Sequence, residues 1–228
     1  MATDAATTAT RRTPLSRDRI LTAAVALADK EGIEALSMRR IGHALGVEAM
    51  SLYNHVANKE DILDGMFDVI IGEIDMVTAG SDWRAIIRAR AMSAREVLVR
   101  HPWAPSVIQS RTTISYAAMK YFEATLAVLF EAGFSEEITH HAIHALGSRV
   151  LGFTQELFDM ESAAPAAEEE MMNRLTPEDF PNAVRMLAEI THDKGSVVGN
   201  GCDDKVEFEF GLDLVLDGLD QLLQNSDV

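Results

Sequence analysis

The 228-residue sequence predicts an all-α protein, with a three-helix N-terminal head and a larger C-terminal helical body. Three observations carry that reading. Apolar residues recur at three- and four-residue spacing along most of the chain, the period of an amphipathic helix. Residues 36–56 read as two short helices around Gly46, with a polar and aromatic second helix. No segment offers the strict alternation of a strand, and there are no internal repeats.

The head is justified element by element. Residues 1–15 are Ala/Thr-rich with Arg11 and Arg12 and lack the apolar centre of a signal peptide, so they are expected to form a disordered arm. Residues 16–31 place Ile20, Leu21, Ala24, Val25, Leu27 and Ala28 at helical spacing and stop at Gly32. Ser37 is a good N-cap for a helix carrying Met38, Ile41, Ala44 and Leu45 on one face. Gly46 then supplies the turn, because a residue without Cβ reaches left-handed backbone angles at no steric cost.

The second helix, residues 48–54, has a narrow apolar side made by Leu52, with Val56 just beyond. It leaves Ala49, Met50, Ser51, Tyr53, Asn54 and His55 facing outward. Such a mix of hydroxyl, amide, aromatic and imidazole groups suits base edges and phosphates. The competing reading is a short packing helix in an ordinary helical domain. Asn58 caps the next helix, along which Ile62, Leu63, Met66, Phe67, Ile70, Ile71 and Ile74 keep helical spacing. The expected division is therefore a DNA-binding head over 16–60 and a body over 61–228.

Five body helices are expected, over 82–100, 112–131, 135–160, 177–190 and 203–224. Residues 162–173 read as a solvated loop or weak helix, and residues 191–201, with three glycines, as a connection. In the last helix Phe208, Leu212, Val215, Leu219 and Leu222 form a seam for another helix. Val206, Phe210, Leu214, Leu216 and Leu223 put apolar surface on its other sides. Residues 135–160 offer Ala142, Leu146, Val150, Phe153 and Leu157 in the same way. A partner subunit explains so much apolar surface economically; an unusually apolar monomer core is the alternative.

Charge and composition bound the function. The net charge is −16, yet residues 1–60 carry +1 and residues 61–228 carry −17. DNA binding would therefore depend on locally placed cations, Arg39, Arg40 and Lys59, with Arg17 and Arg19 as further candidates. An acidic body disfavours nonspecific adhesion to DNA or anionic membrane. No run of about eighteen apolar residues is present, so no transmembrane helix is expected. Cys202 is the single cysteine, which rules out an intramolecular disulfide and fits a reducing cytosol. There is no Gly-rich phosphate loop, HExxH or GxSxG, so no catalytic residue and no cofactor is expected.

The run Gly46-Val-Glu-Ala-Met-Ser-Leu-Tyr-Asn-His-Val-Ala-Asn-Lys59 resembles the DNA-binding domain of the tetracycline-repressor family, and the likeness covers about residues 16–66. It implies a cytoplasmic bacterial transcriptional regulator, usually a repressor, working as an all-helical homodimer. Its C-terminal domain would hold a small-molecule pocket and the dimer interface. Arg39 occupies the position resembling the family's base-contacting arginine, and Arg40 beside it points to phosphate or to the core. Ser51, Tyr53 and His55 stand at the family's backbone-holding positions, and Lys59 adds a cation at a helix N-terminus, where free N–H groups favour phosphate.

Glu48, Ala49 and Met50 open the recognition helix and are the expected sequence readers. Glu48 could accept from cytosine N4, and Ala49 or Met50 could lie on thymine methyls. Asn54 could bond adenine or phosphate. Ala49, Met50 and Asn54 depart from the polar, proline and tryptophan residues of tetracycline-responsive members, so a different operator is expected.

Trp103, Met119, Phe122, His144, Phe153 and Gln155 are the candidates for the wall of an effector pocket. Each taken alone reads more readily as plain core. His140 and His144 share a helix face at a spacing usable for metal, but no acidic pair or cysteine completes a site, and none is assigned. The function expected is a repressor that binds a palindromic operator as a homodimer and is released by a small apolar or amphipathic effector. The alternative is a helical small-molecule sensor that is DNA-incompetent or needs a corepressor.

Overall fold

The computed structural model describes residues 14–78, 82–152, 174, 176–189 and 204–226. The arm over 1–13, the connections over 162–173 and 191–201, and Phe153, Gln155 and Leu157 lie outside the described residues. Among those described, every regular element is a helix.

Helix α1 (Arg17–Glu31) is capped by Ser16, whose hydroxyl accepts the Arg19 N–H at 3.3 Å. A 3-10 turn (Ile33–Ala35) leads to α2 (Met38–Leu45), capped in the same way by Ser37. Gly46 ends α2 at φ 66°, in the left-handed region the sequence reading required of it. Helix α3 (Ala49–Leu52) is a single turn, shorter than the expected 48–54. After Leu52 the chain tightens, with His55 and Val56 both donating to the Leu52 carbonyl.

Helix α4 (Lys59–Glu73) begins with a reciprocal cap. Asn58 Oδ1 accepts the Asp61 N–H at 2.9 Å, and Asp61 Oδ2 accepts the Ala57 N–H at 2.8 Å.

The chain divides into two compact units, one of residues 1–73 with 100–118 and the other of residues 74–99 with 119–228. In the first unit Ile20, Ala24, Ile41, Leu52, Ile62 and Met66 are wholly buried. Two glycines mark tight packing in this unit. A Cβ on Gly42 would sit 2.9 Å from the Val47 carbonyl, and one on Gly65 would sit 2.6 Å from Leu21 Cδ2. This unit is larger than the expected 16–60 because α4 packs on α1 and because a short helix, α6 (Ala104–Ser110), packs on α4.

Helix α6 falls between the helices expected over 82–100 and 112–131, in a stretch left unassigned from the sequence. Pro105 lies in its first turn, where a missing N–H costs no helical hydrogen bond. Arg111, at its end, pairs with Glu60 at 2.9 Å and Asp64 at 3.0 Å on α4.

In the second unit α5 (Trp83–Arg100), α7 (Tyr116–Glu131), α8 (Glu136–Gly152), α9 (Pro181–Glu189) and α10 (Asp204–Ser226) follow the expected order. Phe208, Leu212 and Leu216 of α10 are fully buried against Leu129, Ala142 and Leu146. The seam residues thus meet helices of their own chain. Phe208, Leu212 and Leu219 face the chain's own α8 side, and Leu216 joins them because a straight helix drifts from 3.5-residue spacing. The other side of α10 carries Val206, Phe210 and Leu214, all exposed.

Part of the body's acidity is answered locally. Arg88 on α5 pairs with Glu209 at 2.8 Å and Asp213 at 2.9 Å on α10, and Arg84 pairs with Asp217 at 2.5 Å.

Candidate nucleic-acid interface

The single turn of α3 is held from below and bare above. Leu52 and Val56 are buried, while Met50 is 73% and Tyr53 47% exposed. Asn54, His55 and Lys59 are exposed with them, and Ala49 and Ser51 are half-buried between. Glu48 caps α3 from an extended backbone, but its side chain makes no capping hydrogen bond and is exposed. A run of largely exposed side chains is therefore held on a firmly seated turn.

That seat is built by Asp61. Its carboxylate takes the Ala57 N–H and pairs with Arg17 at 2.8 Å, tying the entry of α4 to the start of α1. The backbone hydrogen bond from Ala57 and the Arg17 guanidinium together outweigh burial and hold this carboxyl below the ordinary aspartate range. Lys59 sits two residues earlier, in the first turn of α4, where unsatisfied N–H groups add to its positive charge.

The cations sort into two kinds. Arg17 is committed to Asp61, and Arg19 donates to the Pro14 carbonyl at 2.7 Å. Arg40 is paired with Glu31 of α1, so of the two open readings for this residue the guanidinium is turned toward α1. Arg39 and Lys59 pair with no acidic side chain among the described residues and remain exposed. Arg39 also borders an open groove of about 920 Å³ between α1 and α2, with Leu27, Lys30, Arg40 and His43.

Residues 20–66 match the family described as "Bacterial regulatory proteins, tetR family", and residues 78–223 match "Tetracyclin repressor-like, C-terminal domain". The chain belongs to the tetracycline-repressor family. Its members are transcriptional regulators and not enzymes. The helix-turn-helix of α2 and α3 is accordingly a DNA-binding domain.

An HTH-type transcriptional regulator of Saccharopolyspora erythraea is 37% identical over 60% of this chain, and the match spans 59% of that relative's length. The HTH-type transcriptional repressor DrrR1 of Streptomyces coeruleorubidus is 33% identical over 92% of this chain and 78% of its own length. Among solved structures, apo ActR from Streptomyces coelicolor superposes with a TM-score of 0.75 at 25% identity, covering 94% of this chain and 99% of that one. ActR in complex with actinorhodin gives 0.71 at 26% identity, over 91% and 97%.

Four of the expected pocket residues of this tetracycline-repressor family member fall among the described residues. Met119, Phe122 and His144 keep exposed side chains in the second unit. Trp103 is placed differently. It belongs to the first unit, is 7% exposed, and spends its indole N–H on Asp29 Oδ1 at 2.6 Å. Beside it His101 is buried with Nδ1 2.7 Å from Asp29 Oδ1 and Nε2 3.2 Å from Glu73 Oε2. Arg100 donates to the same Glu73 oxygen at 2.8 Å. Burial pushes the Glu73 carboxyl up, but the hydrogen bonds from Arg100 and His101 outweigh it and hold the group below the ordinary glutamate range.

This cluster ties α1, the end of α4 and the 100–103 corner into one polar knot. Sequence reasoning missed it because its members are up to 74 residues apart and obey no local spacing.

Proposed function

We propose that this chain is a ligand-responsive repressor that binds an inverted-repeat operator as a homodimer. The observation that carries this reading is the anchored turn of α3, which holds Met50, Tyr53, Asn54 and His55 outward while Leu52 and Val56 fix it from behind. Arg39, Glu48, Ala49 and Met50 read base edges; Ser51, Tyr53, His55 and Lys59 hold phosphates. Arg40 positions the head through Glu31 and contributes field more than contact.

The partner copy covers Phe210 and Leu214 of α10, which stand exposed in the single chain. Two heads then enter successive major grooves about 34–36 Å apart. A small apolar or amphipathic effector binds the body and favours a head spacing that no longer fits. It releases DNA only to the extent that it binds the two states differently. The naming of DrrR1 as a repressor and the binding of actinorhodin by ActR support repression and a small-molecule effector respectively. The Asp29–His101–Trp103 knot is the means by which movement at the 100–103 corner reaches α1 of the head.

The test is selection from a randomised duplex library with the full-length protein. Enrichment of an inverted repeat is the expected result. A folded protein that enriches nothing would favour the sensor that lacks DNA binding or requires a corepressor.

A further inference from the structure

Three of the chain's seven histidines fall within five residues of α8: His140, His141 and His144. All three are exposed, and none makes an ion pair among the described residues. Ala142 and Leu146 bury a different face of the helix in the core of the second unit. The His140 and His144 rings stand 4.6 Å apart between centroids at 69°, while His141 lies 5.6 Å from His140.

We propose that His140 and His144 form a two-imidazole chelate for a borderline divalent transition-metal ion, Zn²⁺, Ni²⁺ or Cu²⁺. The argument is first geometric. A metal–nitrogen bond of about 2.0–2.1 Å places each ring centre about 3.2 Å from the ion, so two rings at angles of about 90–109° stand about 4.5–5.2 Å apart. The observed 4.6 Å falls in that range, and the 5.6 Å to His141 falls outside it. The second argument is entropic. Residues four apart on a formed helix already share a face, so the helix has fixed the two ligands relative to each other before the ion arrives.

The third argument is chemical. Imidazole suits Zn²⁺, Ni²⁺ and Cu²⁺, whereas Mg²⁺ prefers oxygen ligands in an octahedral shell. Among the described residues no three His, Cys, Asp or Glu side chains converge on one point. Among the described residues, then, nothing competes with water or another exogenous donor for the remaining positions on the ion. Bound there, the ion clips two successive turns of α8, the helix that packs on α10.

The experiment is calorimetric titration of the tag-free, full-length protein with ZnCl₂ and with NiCl₂, using MgCl₂ as the control. The expected result is one ion per chain for Zn²⁺ and Ni²⁺ and none for Mg²⁺. His140→Ala and His144→Ala should each weaken binding on the order of tenfold or more, while His141→Ala changes it by less than about threefold. Because all three side chains are exposed, circular dichroism should show each variant folded. Wild-type affinity in the His140→Ala/His144→Ala double variant would overturn the assignment, as would absence of Zn²⁺ and Ni²⁺ binding or a loss confined to His141→Ala.

Discussion

Trp103 donates its indole N–H to the Asp29 carboxylate across 2.6 Å, although 74 residues separate them. The same Oδ1 lies 2.7 Å from His101 Nδ1, so one oxygen of a head helix serves two nearly buried rings from the 101–103 corner. Asp29→Ala should leave the indole N–H and an imidazole nitrogen without their partner and cost about 2 kcal/mol. Asp29→Asn keeps an acceptor oxygen and should cost less than about half of that. Urea unfolding followed by circular dichroism measures both. A cost for Asp29→Ala within about 0.3 kcal/mol of wild type would show that the knot contributes nothing.

Acid should loosen the first unit through Asp61 and Glu73. Both carboxyls are held below their ordinary values in the folded chain. A depressed acid contributes stability that is fully present above its unfolded value, near pH 4, and is lost as pH falls through the lower folded value. Unfolding midpoints from about pH 6 down to about pH 2.5 should therefore decline most steeply below about pH 4. Asp61→Asn should flatten part of that decline, and an equal slope in wild type and variant would contradict the assignment.

Gly42 should tolerate no side chain. Its absent Cβ would meet backbone at 2.9 Å from Val47 O and 3.2 Å from Ala49 N, neither of which can move without shifting the turn into α3. Gly42→Ala should destabilise by about 1–3 kcal/mol and weaken operator binding as well. At Gly65 the nearest atoms are the Leu21 methyls and the Arg17 guanidinium, flexible ends that can give. Gly65→Ala should be the milder change in the same thermal and binding assays; the reverse order would be evidence against this packing.

Phe210 and Leu214 stand 63% and 58% exposed on one face of α10. If that face seats the partner copy, Phe210→Gln/Leu214→Gln should halve the mass seen by analytical ultracentrifugation while preserving helical content. A dimer of unchanged strength would remove α10's second face from the interface.

How much of this was legible in the sequence depends on the distance over which each feature is encoded. The Ser16 and Ser37 caps, the left-handed Gly46 and the Asn58 start of α4 are local, and the residues announced them. The exposed set from Met50 to Lys59 followed from helical spacing with Leu52 as anchor. The α10 seam was legible as apolar but not as to which neighbour it faces, since Phe208 and Leu212 pack equally well on their own chain or on a copy. The Trp103–Asp29 bond was not legible, because aromatic composition says nothing of a partner 74 residues away. The acidic partners of Arg40 and Arg17, Glu31 and Asp61, were likewise hidden from local spacing.

The central claim is that the anchored α3 turn reads an operator. It is tested most directly by fluorescence anisotropy on the selected inverted repeat, titrated against salt, for wild type, Arg39→Ala and Tyr53→Phe/Lys59→Ala. Wild-type affinity should fall as salt rises. The double variant should bind more weakly with a slope shallower by about one, and Arg39→Ala should lose about 1–3 kcal/mol of preference over a scrambled site. Unchanged affinity, selectivity and salt slope in all three folded proteins would contradict the account.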